Sequence, residues 1–193
     1  MPDESKKRCV PDPEGTLLDA LMTVHGVLED AGVDHALCGG LAANLYRDEV
    51  RATNDVDLYL VVGAARLVEL ARTFESQGWR AHPAWRKAEL LRLERARFPK
   101  VDCLIAATEY ERGAVAGAVP ANIAGRTVKV LTAEDLIVFK LVAGRARDYE
   151  AVAAIINSRG GTLDADYILR WLTSFDLHDR WRRALEEAER ERE

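Results

Sequence analysis

Leu37-Cys38-Gly39-Gly40-Leu41-Ala42-Ala43-Asn44-Leu45-Tyr46, followed after a short charged spacer by Arg51-Ala52-Thr53-Asn54-Asp55-Val56-Asp57-Leu58, is the stretch on which the fold turns. His35 to Cys38 has the length and apolar character of a short buried strand, and Gly39–Gly40 opens a helix running from Leu41 to about Arg47. Val56 to Val62 reads as a second strand. Val56, Leu58, Leu60 and Val62 take one face, and Asp55, Asp57 and Tyr59 take the other. A strand, a glycine turn, a helix and an acidic strand in this order predict an α/β unit with its chemistry at one end of a sheet.

Period two puts the Asp55 and Asp57 carboxylates on one side of a strand, about 6–7 Å apart along the chain. Such a pair repels itself unless a cation lies between, and hard divalent ions take oxygen ligands in this arrangement. Two aspartates at the start of a surface strand are the plain alternative. Three features outside the pair weigh against it. Asp102 opens another apolar strand, Val101 to Ala106, with nothing beside it in sequence to neutralise it; a third carboxylate completes a two-metal cradle for phosphoryl transfer. Gly39 and Gly40 leave backbone N–H groups open to a phosphate at a helix start. Lys140 is the one charge between Asp135 and Arg145, so it must snorkel to water or meet an anion.

Outward from this centre, Thr16 to Ala31 is an amphipathic helix stopped by Gly32, and Ala65 to Gln77 a helix ended by Gly78. Trp79 to His82 and Glu89 to Ala96 read as strands. Phe98-Pro99-Lys100 reads as a turn, so that Val101 to Ala106 runs antiparallel to the strand before it. Glu109 to Ala116 is helical and Thr127 to Leu131 is a short strand. Thr132 is the expected N-cap, with Asp135 three residues on. Four helices follow, over Leu136–Gly144, Asp148–Asn157, Asp166–Phe175 and Asp179–Arg192. The fold class is therefore α/β, a mixed α+β sheet covered by helices with a helical C-terminal region. The expected organisation is a disordered tail over 1–13, a catalytic core over 14–131 and a helical region over 132–193 packed on it.

The 193 residues, 48% of them hydrophobic, are enough for a real core. No apolar run approaches a bilayer span and the first residues hold no signal-like stretch, which predicts a cytoplasmic protein with no membrane partner. Cys9, Cys38 and Cys103 have no paired spacing, so the latter two read as small core residues; the four histidines form no ligand pair at helical spacing. A net charge of −5 argues against a general nucleic-acid binder. Yet Arg80, Arg86, Lys87, Arg92, Arg95, Arg97 and Lys100 face only Glu89 and Glu94 within one segment. That segment could bind an RNA backbone, with Trp79, Trp85 and Phe98 stacking on bases, or it could be a solvated hairpin.

Together these residues resemble the nucleotidyltransferase signature of the DNA polymerase β superfamily. Leu37 to Tyr46 with Arg51 to Leu58 looks like its glycine and paired-aspartate motif, and Val101-Asp102-Cys103-Leu104 like its third-aspartate strand. Glu134 to Lys140 with Arg145 and Asp148 is similar to the downstream helix of the AbiEii-like, toxin-associated subfamily. The resemblance spans roughly residues 16 to 157. It implies a polymerase-β-type nucleotidyltransferase fold in which Asp55, Asp57 and Asp102 are catalytic and hold two Mg²⁺ (or Mn²⁺) ions. The NTP substrate would be bound by Gly39, Gly40, Thr53, Lys140 and Arg145, with Asp148 orienting Lys140 or Arg145. It implies transfer of an NMP to a hydroxyl of RNA or tRNA, of a protein or of a small molecule, and possible pairing with a cognate antitoxin or toxin. A non-catalytic module of the same fold is the alternative, which the intact acidic triad disfavours. Two departures stand out: the Gly40–Asp55 spacer is about one residue longer than in close relatives, around Arg47 to Val50, and Leu41 replaces the serine common in the glycine motif.

Overall fold

The computed structural model describes residues 15–82 and 90–192. The disordered tail expected over 1–13, Trp85, Arg86, Lys87 and Glu89 lie outside the described residues. Among the described residues seven strands form one mixed sheet. They are β1 Asp34–Cys38, β2 Asp55–Val61, β3 Arg80–Ala81, β4 Leu90–Glu94, β5 Lys100–Ile105, β6 Val119–Ile123 and β7 Arg126–Val130. Their order is β3-β4-β5-β2-β1-β7-β6. β2 runs parallel to β5 and antiparallel to β1, and β1 runs parallel to β7.

The helices are α1 Leu17–Asp30, α2 Gly39–Ala43, α3 Ala64–Ser76, α4 Glu109–Ala116, α5 Ala133–Ala143, α6 Ala146–Arg159, α7 Ala165–Ser174 and α8 His178–Arg190, with a 3-10 turn over Gly160–Thr162. α1 begins at Thr16, whose side chain and Asp19 form a reciprocal cap. It packs on the sheet face that carries Leu58 and Leu60. α4 and α5 cover the opposite face, where Tyr59 of β2 stacks on Phe139 of α5 at 4.7 Å. α6, α7 and α8 pack beyond α5, and buried residues from them, such as Val152, Ile168 and Ala184, join the same apolar cluster as the sheet. Cys38 and Cys103 are buried in that core, as expected of small apolar residues. No helix among the described residues is long and apolar enough to cross a membrane.

Three local readings need correction. Val119–Ile123 is a strand that the sequence did not announce, because Pro120 has no N–H to give a ladder. It is tolerated because β6 is the sheet edge. Ala124 and Gly125, both with positive φ, turn it back onto β7 through a two-residue loop. The β4–β5 turn is centred on Arg97 rather than on Phe98-Pro99-Lys100. Phe98 N–H donates to the Arg95 carbonyl at 3.1 Å, Arg97 takes φ 67, and Lys100 is already in the strand. Finally, α2 stops at Ala43. The Asn44 amide then holds the next loop, donating to Arg51 O at 3.0 Å and accepting from Arg51 N at 3.1 Å. This loop absorbs the longer spacer and is tied to α6 by a bond from Asp48 N to the Ser158 hydroxyl at 3.0 Å.

Candidate active site

The site follows from strand register. β2 and β5 are parallel neighbours with Asp57 directly beside Asp102, and Asp55 lies two residues down the same face. The three carboxylates present oxygens within 4.8 Å of one another. Asp57 is pushed up to about 6, first by burial and then by the charges of Asp55 and Asp102. Two carboxylates gathered around a half-buried third are a donor set that suits a hard divalent cation.

Gly39 is tied to this arrangement. It has φ +68, and a Cβ at this position would collide with the Asp57 carboxylate. Any other residue would therefore close the space above Asp57 as well as strain the backbone. A Cβ on Gly40 would come within 3.0 Å of the Thr53 hydroxyl. That hydroxyl donates to Asp55 Oδ1 at 3.2 Å, so Thr53 fixes one member of the triad from beside the glycine turn.

The other wall comes from the α5–α6 junction. Gly144 ends α5 in the left-handed region, and Arg145 caps α6. Asp148 is only 2% exposed and accepts from Arg145 Nε at 2.6 Å, with Lys140 Nζ 3.8 Å away. Burial pulls the Lys140 ammonium down from its ordinary value, and Asp148 partly offsets this. A cavity of about 690 Å³ joins Gly39 and Asp57 to Lys140, Arg145 and Asp148. Gly39, Asp57, Lys140, Arg145 and Asp148 line this cleft, while Asp55 and Asp102 adjoin it through Asp57, and Gly40 and Thr53 stand behind Gly39 and Asp55.

Several cleft residues escaped the sequence reading. Tyr110, Phe139 and Phe175 form an aromatic wall with Tyr59, and the one available signal was that Tyr59 shares strand parity with Asp55 and Asp57. Arg180, in the first turn of α8, donates to the Leu141 and Val142 carbonyls, each at 2.7 Å, and so caps α5 from another helix. Asp102 is not left alone, contrary to its appearance in sequence. Arg92, its cross-strand partner on β4, forks onto both carboxylate oxygens at 2.7 and 2.8 Å. Lys100 stands 3.3 Å from Asp55 and 3.8 Å from Asp102.

The same contacts revise the basic segment. Arg80 pairs with Glu94, Arg92 and Lys100 face the triad, and Arg95 lies over Phe98 at 4.9 Å. Trp79 is 2% exposed and edge-on to Phe98, so it offers no face to a nucleic-acid base. The stacking expected of Trp79 therefore fails because the ring fills the core; Trp85, Arg86 and Lys87 lie outside the described residues.

No family model and no curated protein matches the chain. Solved structures do. A solution structure of the antibiotic-resistance factor ANT(2'')-Ia covers 91% of this chain and 97% of its own, at 20% identity and TM-score 0.59. A crystal structure of ANT(2")-Ia in complex with adenylyl-2"-tobramycin covers 82% of this chain and 98% of its own, at 20% identity and TM-score 0.57. The lincosamide antibiotic adenylyltransferase LnuA, bound to lincomycin, covers 70% and 93%, at 15% identity and TM-score 0.53. The likeness is one of fold, the polymerase-β-type nucleotidyltransferase fold; the acidic cluster of Asp55, Asp57 and Asp102 is read from this chain's own geometry.

Proposed function

We propose that the chain transfers a nucleoside monophosphate from an NTP to a hydroxyl group of a small molecule. The observation that carries this reading is the convergence of Asp55, Asp57 and Asp102 beside a glycine turn that has no room for a Cβ. Asp55, Asp57 and Asp102 would hold two Mg²⁺ or Mn²⁺ ions, which supply charge neutralisation on the triphosphate and activation of the acceptor. The acceptor oxygen bonds to the α-phosphorus, the bond to pyrophosphate breaks, and the hydroxyl proton is released.

The chain's own residues bind and orient. Gly39 and Gly40 let backbone N–H groups approach the triphosphate, with Thr53 beside them. Lys140 and Arg145 neutralise phosphate charge, and Asp148 holds both cations on the cleft wall. Tyr59, Tyr110 and Phe139 give the nucleoside an apolar face on which to lie. A small acceptor is favoured over RNA because Arg80, Arg92, Arg95 and Lys100 are already engaged within the protein. ANT(2")-Ia and LnuA are described with tobramycin and lincomycin, which supports the same class of acceptor. Membership of the AbiEii-like group, with a toxin or antitoxin partner, is a narrower form of this proposal that rests on Glu134 to Asp148 alone. Arg92 and Lys100 offset part of the triad's charge, yet Asp57 is still pushed up by burial and its acidic neighbours, a cost that a non-catalytic module would have no need to keep.

The test is to incubate the protein and Mg²⁺ with each α-labelled NTP and, separately, tobramycin, lincomycin, a small-metabolite extract and total RNA. Label in the small-molecule fraction, absent with Asp57→Asn, is the expected result. Label in RNA would overturn the acceptor assignment, and label nowhere would overturn the transferase.

A further inference from the structure

We propose that His25, Glu29 and His35 form a second metal site, suited to Zn²⁺ or a similar transition-metal cation, on the sheet face opposite the acidic triad. His25 and Glu29 are four residues apart on α1 and so share one side of the helix. His35 is on β1, and strand parity sets it with Leu37 on the face away from Cys38, which pairs with Asp57. Along the strand it stands about 10 Å from Cys38. One nitrogen or carboxylate oxygen from each of the three residues lies within 4.8 Å of the others.

The His35 imidazole is already held in a ligand's tautomer. His35 Nδ1 is 2.7 Å from the Val33 carbonyl, which holds the proton on Nδ1 and leaves Nε2 with a free lone pair. That lone pair faces His25 Nδ1 at 2.8 Å. Moving the His25 proton from Nδ1 to Nε2 frees Nδ1, and no proton need leave the protein. The two ring nitrogens then offer lone pairs to one cation, with the Val33 carbonyl holding the outer edge of His35. Zn²⁺ takes imidazole nitrogen at about 2.0–2.1 Å, so a tetrahedral ion needs the two nitrogens to open to roughly 3.3 Å. Glu29 is exposed and supplies a carboxylate oxygen, with the fourth position left to water.

Donor chemistry separates this site from the triad. Imidazole favours Zn²⁺, Ni²⁺ or Co²⁺, whereas the three aspartates favour Mg²⁺ or Mn²⁺. One nearby group opposes the cation: Arg126 of β7, whose charge acts on His25 and whose guanidinium lies against Gly26. Occupied, the site would clamp α1 to β1.

The experiment is calorimetric titration of EDTA-treated Asp57→Asn protein with ZnCl₂, with MgCl₂ as the comparison. In this background the catalytic cradle is weakened, so loss of the triad's metal and loss of this site are read separately. The expected result is one Zn²⁺ per chain, a rise in melting temperature with Zn²⁺ and none with Mg²⁺. Glu29→Gln, at an exposed position, should weaken Zn²⁺ more than about tenfold without altering the fold. Arg126→Ala should tighten it. His25→Gln, if folded, should abolish it. No Zn²⁺ bound, or Zn²⁺ binding that Glu29→Gln leaves unchanged, would overturn the proposal.

Discussion

Asp57 sits where burial and two neighbouring carboxylates oppose its ionisation, and the adjacent glycine leaves the space above it open. Asp57→Asn removes a charge at nearly constant shape. It should abolish nucleotidyl transfer yet leave melting in EDTA unchanged or raised by roughly 2–4 °C, as about 1 kcal/mol gives for a chain of this size. Differential scanning fluorimetry with and without Mg²⁺, alongside the transfer assay, checks both halves; full activity would remove the metal assignment. Lys140 poses a different question. Its ammonium is largely enclosed and 3.8 Å from Asp148, so Lys140→Ala should weaken a non-hydrolysable NTP by about tenfold or more. Stability should fall by less than about 1 kcal/mol. Isothermal titration and chemical denaturation measure the two, and an unchanged affinity would mean that the lysine merely reaches for water.

At the scale of elements, what the sequence disclosed depended on how local the signal was. The parity of Asp55, Asp57 and Tyr59, the Thr132 cap and the Gly144 stop are written in neighbouring residues, and the structure has them as read. Arg92 on Asp102 was hidden because it depends on hairpin register, and a turn placed two residues late misaligns every cross-strand pair. β6 was hidden by its proline. The aromatic wall draws on β2, α4, α5 and the α7–α8 connection, whose meeting no local pattern foretells. Asp135 shows what one element owes to others. Its backbone N–H donates to the capping Thr132 hydroxyl, and its carboxylate accepts from the Thr132, Tyr110 and Tyr167 hydroxyls at 2.9, 3.1 and 2.7 Å, while 2% exposed. Asp135→Ala keeps the backbone cap but takes the acceptor from the Thr132 hydroxyl and strands the two tyrosine hydroxyls at about 1–3 kcal/mol each. A loss of at least 2 kcal/mol is expected, read from urea unfolding; a loss below 1 would mean that water replaces the carboxylate.

For the whole molecule, the helices after β7 complete the cleft rather than stand beside it. Lys140, Arg145, Phe175 and Arg180 all line the cavity that opens on Asp57, and the apolar cluster under the sheet continues into α5, α6, α7 and α8. The proposed core over 14–131 and helical region over 132–193 would then differ in position and share their interior. A chain truncated after Leu131 should keep the three aspartates yet fail to fold cooperatively, since Leu136, Ile137 and Leu141 would no longer cover the sheet. Circular dichroism melting checks this; a sharp two-state transition in the truncated chain would contradict it.

The parallel pairing of β1 with β7 also fixes an order of events at the ribosome. β1 ends at Cys38, but the strand that covers its free side reaches Leu37 only at Val130, with a further bond from Leu131 N–H to the Leu37 carbonyl. β2 likewise waits for β5, which starts at Lys100. For most of synthesis the two central strands can pair only with each other, and both outer edges stay open to other chains. Closure over such sequence separations is slow. The nascent protein should therefore be most prone to aggregate before residue 130 emerges, with the acidic strand of the proposed catalytic centre lying along one of the unprotected edges. The charges of Asp55 and Asp57, proposed above to hold metal, would in that interval disfavour pairing of the edge with a neighbour.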